Sequence, residues 1–235
     1  MKLQDATILV TGANRGLGLA FVHAALERGA RKVYAAARDP RQVTTPGVTP
    51  LRLDVLDEAG IAAAARQCDD VTLVINNAGI ASVAGILGEA GPDALRRHMD
   101  TNFFGMLHVS RQFAPILKAN GGGALLNVLS VASFANSVPL SAYSVSKAAA
   151  WGLTNALRNE LAGQGTQVLA LHVGFIDTDL TRDFDVPKTA PAIVAARAFD
   201  ALESGASEVM ADDVARRVKQ GLALDTAPYL QALGA

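Results

Sequence analysis

A tyrosine and a lysine stand four residues apart, Tyr143 and Lys147, near the start of a predicted helix. Residues at this spacing lie about 6 Å from each other along the helix axis on one face, so both side chains can point into one small volume. A cation about 4 Å from a phenol favours the phenolate by up to about 4 kcal/mol at an effective dielectric near 20. We therefore expect Lys147 to lower the pKa of Tyr143 and to make the phenol a general acid/base near neutral pH. Such pairs also arise by chance on helices, so other motifs must support the chemistry.

Two serines shortly before this pair are candidates to assist it. Ser130 follows a predicted strand and precedes Tyr143 by thirteen residues, whereas Ser133 is nearer in sequence. A hydroxyl group beside Tyr143 would donate a hydrogen bond to a carbonyl oxygen and stabilise the negative charge that develops on it. The residues alone leave the choice between Ser130 and Ser133 open.

The composition argues against several classes of protein. The 235 residues are 50% hydrophobic with a formal net charge of −1, which gives no electrostatic footprint for nucleic acid or an anionic membrane surface. The start of the chain lacks the regions of a signal peptide, and no apolar run reaches the roughly 18 residues of a membrane span, so we expect a cytoplasmic protein. Because Cys68 is the single cysteine and the four histidines are scattered, we predict neither a disulfide nor a metal site.

Short apolar runs alternate with longer Ala/Leu-rich runs along the chain. Continuous apolar character, as at residues 8–10, is typical of a strand buried on both faces of a parallel sheet. The pattern predicts strands at residues 6–10, 32–37, 49–54, 71–76, 124–129, 167–173 and 208–211, and helices ending at Arg28 and at 58–67, 92–117, 141–162, 190–202 and 214–222. This alternation predicts an α/β fold, a single-domain doubly wound parallel sheet of about seven strands with helices on both faces, over residues 1–235.

The first strand leads into a glycine-rich turn, TGANRGLG at residues 11–18, and then into a helix. Ligands of such sheets bind beyond the carboxyl ends of the strands. Bare backbone at Gly12, Gly16 and Gly18 would let a pyrophosphate approach, and the N-terminus of the following helix favours negative charge. The spacing differs from G-x-G-x-x-G, and a glycine-rich turn can also be a mere tight connection. Its position between a strand and a helix favours nucleotide binding.

The end of the second predicted strand distinguishes between the two nicotinamide dinucleotides. The acidic residue that would bind the adenosine ribose of NAD is replaced by Arg38 in the run AAAR. An arginine can bind a 2′-phosphate through two nitrogens, and Arg15 in the glycine-rich turn offers a second cation. NADP is therefore favoured over NAD. The alternative is that Arg38 is a solvated loop residue and Asp39 binds the ribose.

A run of amides and small residues, NNAG at residues 76–79, follows the fourth predicted strand; it can brace neighbouring strands and leave room for a flat ring. With TGANRGLG, NNAG, Ser130 and the Tyr143/Lys147 pair in this order over roughly residues 5–185, the sequence resembles the short-chain dehydrogenase/reductase family, in its NADP-preferring, carbonyl-reductase-like form. The resemblance implies a Rossmann-like domain and an NADPH-dependent alcohol dehydrogenase or carbonyl reductase, which reduces a ketone or aldehyde to an alcohol by reversible hydride transfer.

The resemblance also assigns residues to three groups, and the offset of Ser130 from Tyr143 favours it over Ser133. The expected catalytic residues are Asn102, Ser130, Tyr143 and Lys147. The expected cofactor-binding residues are Gly12, Asn14, Arg15, Gly16, Leu17, Gly18, Arg38, Asp54, Val55, Asn77, Ala78, Gly79, Tyr143, Lys147, Gly174, Ile176 and Thr178. The expected substrate-binding residues are Ser130, Phe134, Val138, Tyr143 and Phe175.

The sequence departs from the family pattern at two places near the predicted site. The usual Pro-Gly appears as Val173-Gly174, which removes a fixed φ but no catalytic group. The predicted substrate lid, about residues 179–191, is short, which indicates an open pocket and a broad substrate range. The apolar walls predict a neutral carbonyl substrate with apolar flanks.

The resemblance also bears on assembly and on alternative functions. In relatives, the outer faces of the helices at 92–117 and 141–162 pair, so we expect a homodimer or homotetramer. Two alternatives are a regulator that binds NADP(H) without turnover and a structural partner protein. A proton donor at Tyr143 argues against a regulator, because a sensor has no need of one.

Overall fold

The computed structural model describes residues 1–230 and contains one seven-stranded sheet in which neighbouring strands are parallel. The strand order is β3-β2-β1-β4-β5-β6-β7, so the winding direction reverses between β1 and β4. The doubly wound parallel sheet predicted from the sequence is confirmed; the last part of the predicted domain, residues 231–235, lies outside the described residues. The strands are β1 (Thr7–Thr11), β2 (Lys32–Ala37), β3 (Thr49–Arg52), β4 (Leu73–Asn76), β5 (Ala124–Val128), β6 (Gln167–His172) and β7 (Glu208–Met210).

Helices cover both faces of the sheet. They are α1 (Gly16–Glu27), α2 (Glu58–Gln67), α3 (Gly91–Met99), α4 (Gly105–Ala119), α5 (Ser141–Leu161), α6 (Pro191–Glu203) and α7 (Asp213–Gly221). The side chains of β1 alternate between the two cores: Ile8 and Val10 pack with residues of α1 and α6, and Leu9 packs with residues of α2, α4 and α5. Because every residue of β1 is buried, the run shows continuous rather than alternating hydrophobicity.

The predicted helix at 92–117 is wrong in one respect, because the structure divides it. A π-helical turn, Asp100–Phe104, separates α3 from α4. Asn102 lies in this turn with its side chain buried and hydrogen-bonded to both main-chain groups of Ile80. Single π-turns inside helices are frequent at functional sites, where they re-aim side chains. The turn therefore directs Asn102 towards the segment that follows β4.

No helix within the described residues 1–230 is long and apolar enough to cross a membrane.

The packing of α1 against α6 predicts a large loss of stability on truncation. The Phe21 ring lies 5.4 Å from the Phe199 ring, centroid to centroid, and both side chains are fully buried. We expect Phe21→Ala to lower the free energy of unfolding by about 3–5 kcal/mol through lost burial and a residual cavity. Leu87→Ala, at a fully exposed position, is the control and should change it by less than about 0.5 kcal/mol. Urea unfolding measures both, and equal losses would contradict this account of the core.

Candidate active site

A cleft of about 790 Å³ lies beyond the carboxyl ends of the strands, where the sheet reverses its winding. Its volume is within the range of small-molecule and cofactor sites, and its position follows the rule for open α/β sheets. Most residues predicted from the sequence line it: Gly12, Asn14, Arg15, Gly16, Leu17, Gly18, Arg38, Asp54, Val55, Asn77, Ala78, Gly79, Ser130, Tyr143, Lys147, Gly174, Ile176 and Thr178.

The glycine-rich turn forms one wall of the cleft and requires glycine at several positions. Gly12 and Gly16 have φ of +65° and +55°, a region that L side chains rarely adopt. A Cβ atom on Gly18 would lie 2.1 Å from the Gly12 carbonyl oxygen, so α1 packs directly on the turn. Arg15, the residue before α1, has an extended backbone. Its side chain does not hydrogen-bond to the first N–H groups of the helix. The first N–H groups of α1 therefore suit a phosphate.

Thr11 and Asn77 join the glycine-rich turn to the end of β4. Asn77 Nδ2 donates to the main-chain oxygens of Thr11 at 2.9 Å and of Gly12 at 3.2 Å. The Thr11 hydroxyl accepts from the main-chain nitrogens of Asn77 and Ala78, each at 3.0 Å. These bonds hold β1 and β4 together where the cleft opens. Thr11 was not among the predicted site residues; its signal in the sequence is a hydroxyl that ends a buried strand.

Three arginines surround the end of the cleft formed by β2. Arg38 is exposed at the cleft, and Arg15 Nη1 lies 3.4 Å from Asp179 Oδ2. Arg41 binds both carboxylate oxygens of Asp39, each at 2.9 Å, and these hydrogen bonds lower the pKa of Asp39. The Asp39 carboxylate is thus already paired, which disfavours the alternative in which it binds a ribose. This end of the cleft suits a ligand with extra negative charge.

Lys147 and Tyr143 form the opposite end of the cleft, and burial dominates the properties of both. Lys147 is 5% exposed; Nζ donates to the Val128 carbonyl oxygen at 2.8 Å, and burial lowers its pKa to about 8. Burial raises the pKa of Tyr143, opposed by a hydrogen bond from Ser130. The expectation that Lys147 lowers this pKa is therefore wrong for this structure. Lys147 Nζ lies 5.8 Å from the Tyr143 ring centroid, and desolvation by burial is the larger influence on the pKa of the phenol.

The structure also separates the two candidate serines. Ser130 lines the cleft together with Tyr143, whereas Ser133 does not, and the Ser130 hydroxyl accepts from Ala132 N at 3.1 Å. Ser133 Oγ instead accepts from the Ser130 main-chain nitrogen at 3.4 Å. Both serines are buried in the turn after β5. The geometry favours Ser130 as the hydroxyl that faces a ligand.

Asn102 lies behind the cleft, outside its lining residues. Its Nδ2 donates to Ser146 Oγ at 2.9 Å and to the Ile80 oxygen at 3.0 Å. A Cβ atom built on Gly79 would lie 3.1 Å from Asn102 Oδ1 and 3.8 Å from Lys147 Nζ. Asn102 and Lys147 are therefore both neighbours of Gly79. The described contacts include no direct hydrogen bond between Asn102 and Lys147.

Comparison with known proteins places this arrangement in a family. The family model described as short chain dehydrogenase matches residues 6–188. The chain belongs to this family of oxidoreductases. A crystal structure of a short chain dehydrogenase from Burkholderia cenocepacia J2315 in complex with NADP is 39% identical, with a TM-score of 0.95 and 100% of each chain covered.

Two curated relatives show the range of the family. Galactitol 2-dehydrogenase (L-tagatose-forming) from Cereibacter sphaeroides is 35% identical over 77% of this chain and 75% of its own length. Short chain dehydrogenase tazN from Aspergillus terreus is 33% identical over 77% of this chain. The match spans 43% of the tazN protein, so this chain corresponds to less than half of that relative.

Three of the predicted substrate-binding residues of this short chain dehydrogenase do not line the cleft. The Phe134 ring stacks on the His172 ring at 4.3 Å and meets the Trp151 ring edge-on at 4.9 Å. Val138 is 71% exposed, and the Phe175 ring packs against Phe184 at 5.2 Å. Apolar character alone cannot tell a pocket wall from packing, because the turn after β5 directs Phe134 towards β6 and α5.

Two histidines that the sequence did not single out lie beside Tyr143 and Ser130. The fully buried His98 accepts from Ser82 N at Nε2, 3.2 Å away, and its ring lies edge-on to the Tyr143 ring at 6.3 Å. His172, also fully buried, lies at the end of β6 with Nδ1 3.2 Å from the Ser130 oxygen. Sequence spacing gives no signal for either, because both contacts join elements far apart in the chain.

The buried Lys147 makes stability depend on pH in the alkaline range. Its folded pKa is about 8 against an ordinary value of 10.5, so the unfolded chain binds more protons between these values. The free energy of unfolding is therefore highest, as far as this residue is concerned, above about pH 10.5, where Lys147 is neutral in both states. It decreases as the pH falls from there through about 8. We expect Lys147→Met to gain stability relative to the wild type as pH falls from about 10.5 to 8, measured by urea unfolding. Lys118→Met, at an exposed position, is the control, and a pH-independent difference for Lys147→Met would contradict the assignment.

Proposed function

We propose that the protein is an NADPH-dependent reductase that converts a ketone or aldehyde to an alcohol. The observation that carries the proposal is that the hydroxyls of Ser130 and Tyr143 and the buried Lys147 line the same cleft. Arg15 and Arg38 lie at the end formed by β2. A reaction that transfers a hydride to a carbonyl carbon and a proton to its oxygen needs this division between a dinucleotide site and a proton donor.

The cleft residues fit NADP. The open backbone at Gly12, Gly16 and Gly18 and the start of α1 suit a pyrophosphate, and Arg15 and Arg38 suit a 2′-phosphate. Bound NADPH would supply the hydride from its nicotinamide ring. The similar structure from Burkholderia cenocepacia contains NADP, which supports this choice over NAD. The remaining predicted cofactor-binding residues are cleft residues Asn14, Leu17, Asp54, Val55, Asn77, Ala78, Gly79, Tyr143, Lys147, Gly174, Ile176 and Thr178.

The side chains at the buried end have distinct roles in this mechanism. Ser130 would donate a hydrogen bond to the substrate carbonyl oxygen, worth about 3 kcal/mol in comparable oxyanion sites. Tyr143 would donate its proton to the alkoxide that forms, and its raised pKa keeps the phenol protonated until then. Lys147, fixed by the Val128 carbonyl, would bind a ribose hydroxyl and stabilise the phenolate left behind. Asn102 would act from behind, by fixing the segment next to Lys147.

The substrate we propose is a small neutral carbonyl compound with apolar flanks. The described cleft lining includes four apolar residues that could contact such flanks, Ile80, Leu129, Val173 and Leu180. We propose that residues 179–191 form a short lid over the cleft. Its base is tied down by main-chain bonds from Asp177 N to the Thr189 oxygen and from Thr189 N to the Phe175 oxygen, at 3.0 and 2.8 Å.

We also propose that the protein is cytoplasmic and forms a homodimer or homotetramer through the outer faces of α4 and α5. Val145 is an exposed apolar residue on α5, and the α4 surface begins beside the exposed Phe104. Pairing would cover both residues.

Removal of the Tyr143 hydroxyl tests the mechanism. Tyr143→Phe keeps the ring and deletes the proton, so we expect kcat to fall by at least about 100-fold with NADPH binding retained. Tyr229→Phe, at an exposed position, is the matched control and should keep full activity. NADPH oxidation with a panel of ketones and aldehydes measures kcat, and NADPH fluorescence measures binding. More than about a tenth of the wild-type kcat in Tyr143→Phe would refute the role of Tyr143.

Removal of the Arg38 guanidinium tests the choice of cofactor. A hydrogen bond to a charged group is worth about 1.5–3 kcal/mol, so Arg38→Ala should lower the ratio of kcat/KM for NADPH to that for NADH by about tenfold or more. Arg66→Ala removes an exposed arginine at the end of α2 and should leave the ratio unchanged. Steady-state kinetics with both cofactors decides the matter. Equal efficiency of the wild type with NADPH and NADH would reject the preference itself.

A further inference from the structure

We propose that His172 is a positioning residue for Ser130: its imidazole donates a hydrogen bond to the Ser130 main-chain carbonyl and fixes the catalytic hydroxyl in place. The inference rests on the proposed function, because it assigns a role within that reaction. His172 does not line the cleft among the described residues, so it acts through Ser130 and not on a ligand.

The contact between the two residues is direct and buried. The His172 side chain is fully buried, and Nδ1 lies 3.2 Å from the Ser130 carbonyl oxygen. A carbonyl oxygen can only accept, so a hydrogen bond here requires the proton on Nδ1. The same carbonyl oxygen accepts from Ser133 N at 3.0 Å. The imidazole thus adds a second donor to the turn that begins at Ser130.

The main chain alone leaves Ser130 less well fixed than its neighbours. Bonds between β5 and β6 continue on both sides of it, from Leu129 N to the Leu171 oxygen at 2.8 Å and from Val131 N to the Val173 oxygen at 2.9 Å. Ser130 N has a 3.4 Å bond to the Ser133 hydroxyl, and its own hydroxyl lies 3.4 Å from the Val173 oxygen. Both distances exceed the usual range for such donors. The His172 contact therefore supplements weak bonds at the residue whose placement matters most.

The imidazole is itself held from several sides. Its Nε2 lies 3.2 Å from Glu208 Oε1, a contact that holds the ring only if Nε2 carries a proton as well as Nδ1, and Glu208 Oε2 lies 2.8 Å from Lys219 Nζ. The Phe134 ring stacks on one face at 4.3 Å, and Lys219 Nζ lies 4.9 Å from the Phe134 centroid. These contacts come from β7, from α7 and from the turn after β5. They oppose rotation of the ring away from Ser130.

This arrangement gives Phe134 and the C-terminal elements a function that the sequence did not indicate. Phe134 was expected to bind substrate, and its packing on His172 explains why an aromatic residue follows Ser130 so closely. Glu208 and Lys219 lie outside the cleft lining yet form the outer support of the imidazole. Displacement of a reacting group by about 1 Å can cost about 100-fold in rate, so indirect support of this kind can affect catalysis.

Two substitutions of His172 separate positioning from mere packing. In His172→Asn the side-chain amide keeps a donor near the place of Nδ1, whereas His172→Leu keeps bulk without a donor. We expect His172→Leu to lower kcat by about 10- to 100-fold with little change in KM for NADPH, because Arg15 and Arg38 are untouched. His172→Asn should restore kcat to within about threefold of the wild type. His23→Leu, at an exposed position on α1, is the control for loss of a histidine.

Other outcomes would overturn the proposal. Equal losses of kcat in His172→Asn and His172→Leu, or losses that follow the melting temperature, would show that His172 acts through packing alone. If His172→Leu does not fold, Glu208→Gln replaces it, since weaker support of the imidazole should lower kcat while KM for NADPH stays constant. An unchanged kcat in folded Glu208→Gln would then count against the proposal.

A spectroscopic test does not depend on activity. In nitrogen-15 NMR of the wild type, with His172→Asn used for assignment, we expect a Nδ1–H proton of His172 that exchanges slowly with solvent. A His172 ring with its proton on Nε2 alone would overturn the inference even in an active enzyme. Absence of NADPH oxidation with every carbonyl compound would instead reject the proposed function while the Nδ1–H signal remained, so the two failures can be told apart.

Discussion

The hydrogen bonds between Thr11 and Asn77 fix the place where the sheet reverses its winding, and the rest of the site depends on them. Asn77 Nδ2 donates to the main-chain oxygens of Thr11 and Gly12 at the start of the turn, and the Thr11 hydroxyl accepts from the main-chain nitrogens of Asn77 and Ala78 after β4. Because these bonds join the end of β1 to the segment after β4, they hold two walls of the cleft together. They also explain why Gly18 must lack a side chain, since a Cβ atom there would meet both Gly12 and Asn77.

Burial removes water from the charged Lys147 side chain at one end of the cleft, which is unfavourable. Stabilising contacts elsewhere in the fold must offset this cost. An ammonium group without water is costly unless it is paired, and the described partner of Lys147 is a neutral carbonyl oxygen, that of Val128. Lowering of the Lys147 pKa to about 8 is the measure of this cost. Such local destabilisation is common at sites where side chains are arranged for chemistry rather than for stability. The broad apolar cores on the two faces of the sheet supply the stability that makes it tolerable.

The sequence predicted the fold well because parallel strands buried on both faces produce continuous apolar runs. Strand β2 and helix α2 have the predicted bounds, and the helix with Tyr143 and Lys147 begins at the predicted Ser141. The apolar pattern at 92–117 did not indicate the π-helical turn at Asn102, although Gly105 follows it directly, because a single glycine also occurs inside regular helices. The turn arises from a tertiary contact with Ile80, which lies twenty-two residues away in the chain.

The sequence predicted which residues line the site better than it predicted their contacts and pKa shifts. Tyr143 and Phe134 illustrate the reason. Spacing placed Tyr143 and Lys147 on one face of a helix, but the direction of the Tyr143 pKa shift depends on how much water the fold removes. That quantity is not encoded in the interval between two residues. In the same way, nothing near Phe134 in the sequence reveals that His172 lies under its ring. Contacts of motif residues with their own turn could be predicted, whereas contacts across the sheet could not.

The charged groups are exposed to solvent at one end of the cleft and buried at the other. This difference favours one orientation of a ligand. Arg15 and Asp179 are mostly exposed and 3.4 Å apart, and such a pair is worth at most about 1 kcal/mol. A phosphate could therefore take the Arg15 guanidinium at little cost, because charge-assisted bonds from arginine to phosphate are stronger. At the buried end, a charged ligand group would have to lose its bound water, and the buried Lys147 ammonium group has already done so. The cost of this desolvation disfavours a charged group there. A ligand with its phosphates at one end and an uncharged reacting group at the other fits both conditions, and its reverse orientation fits neither.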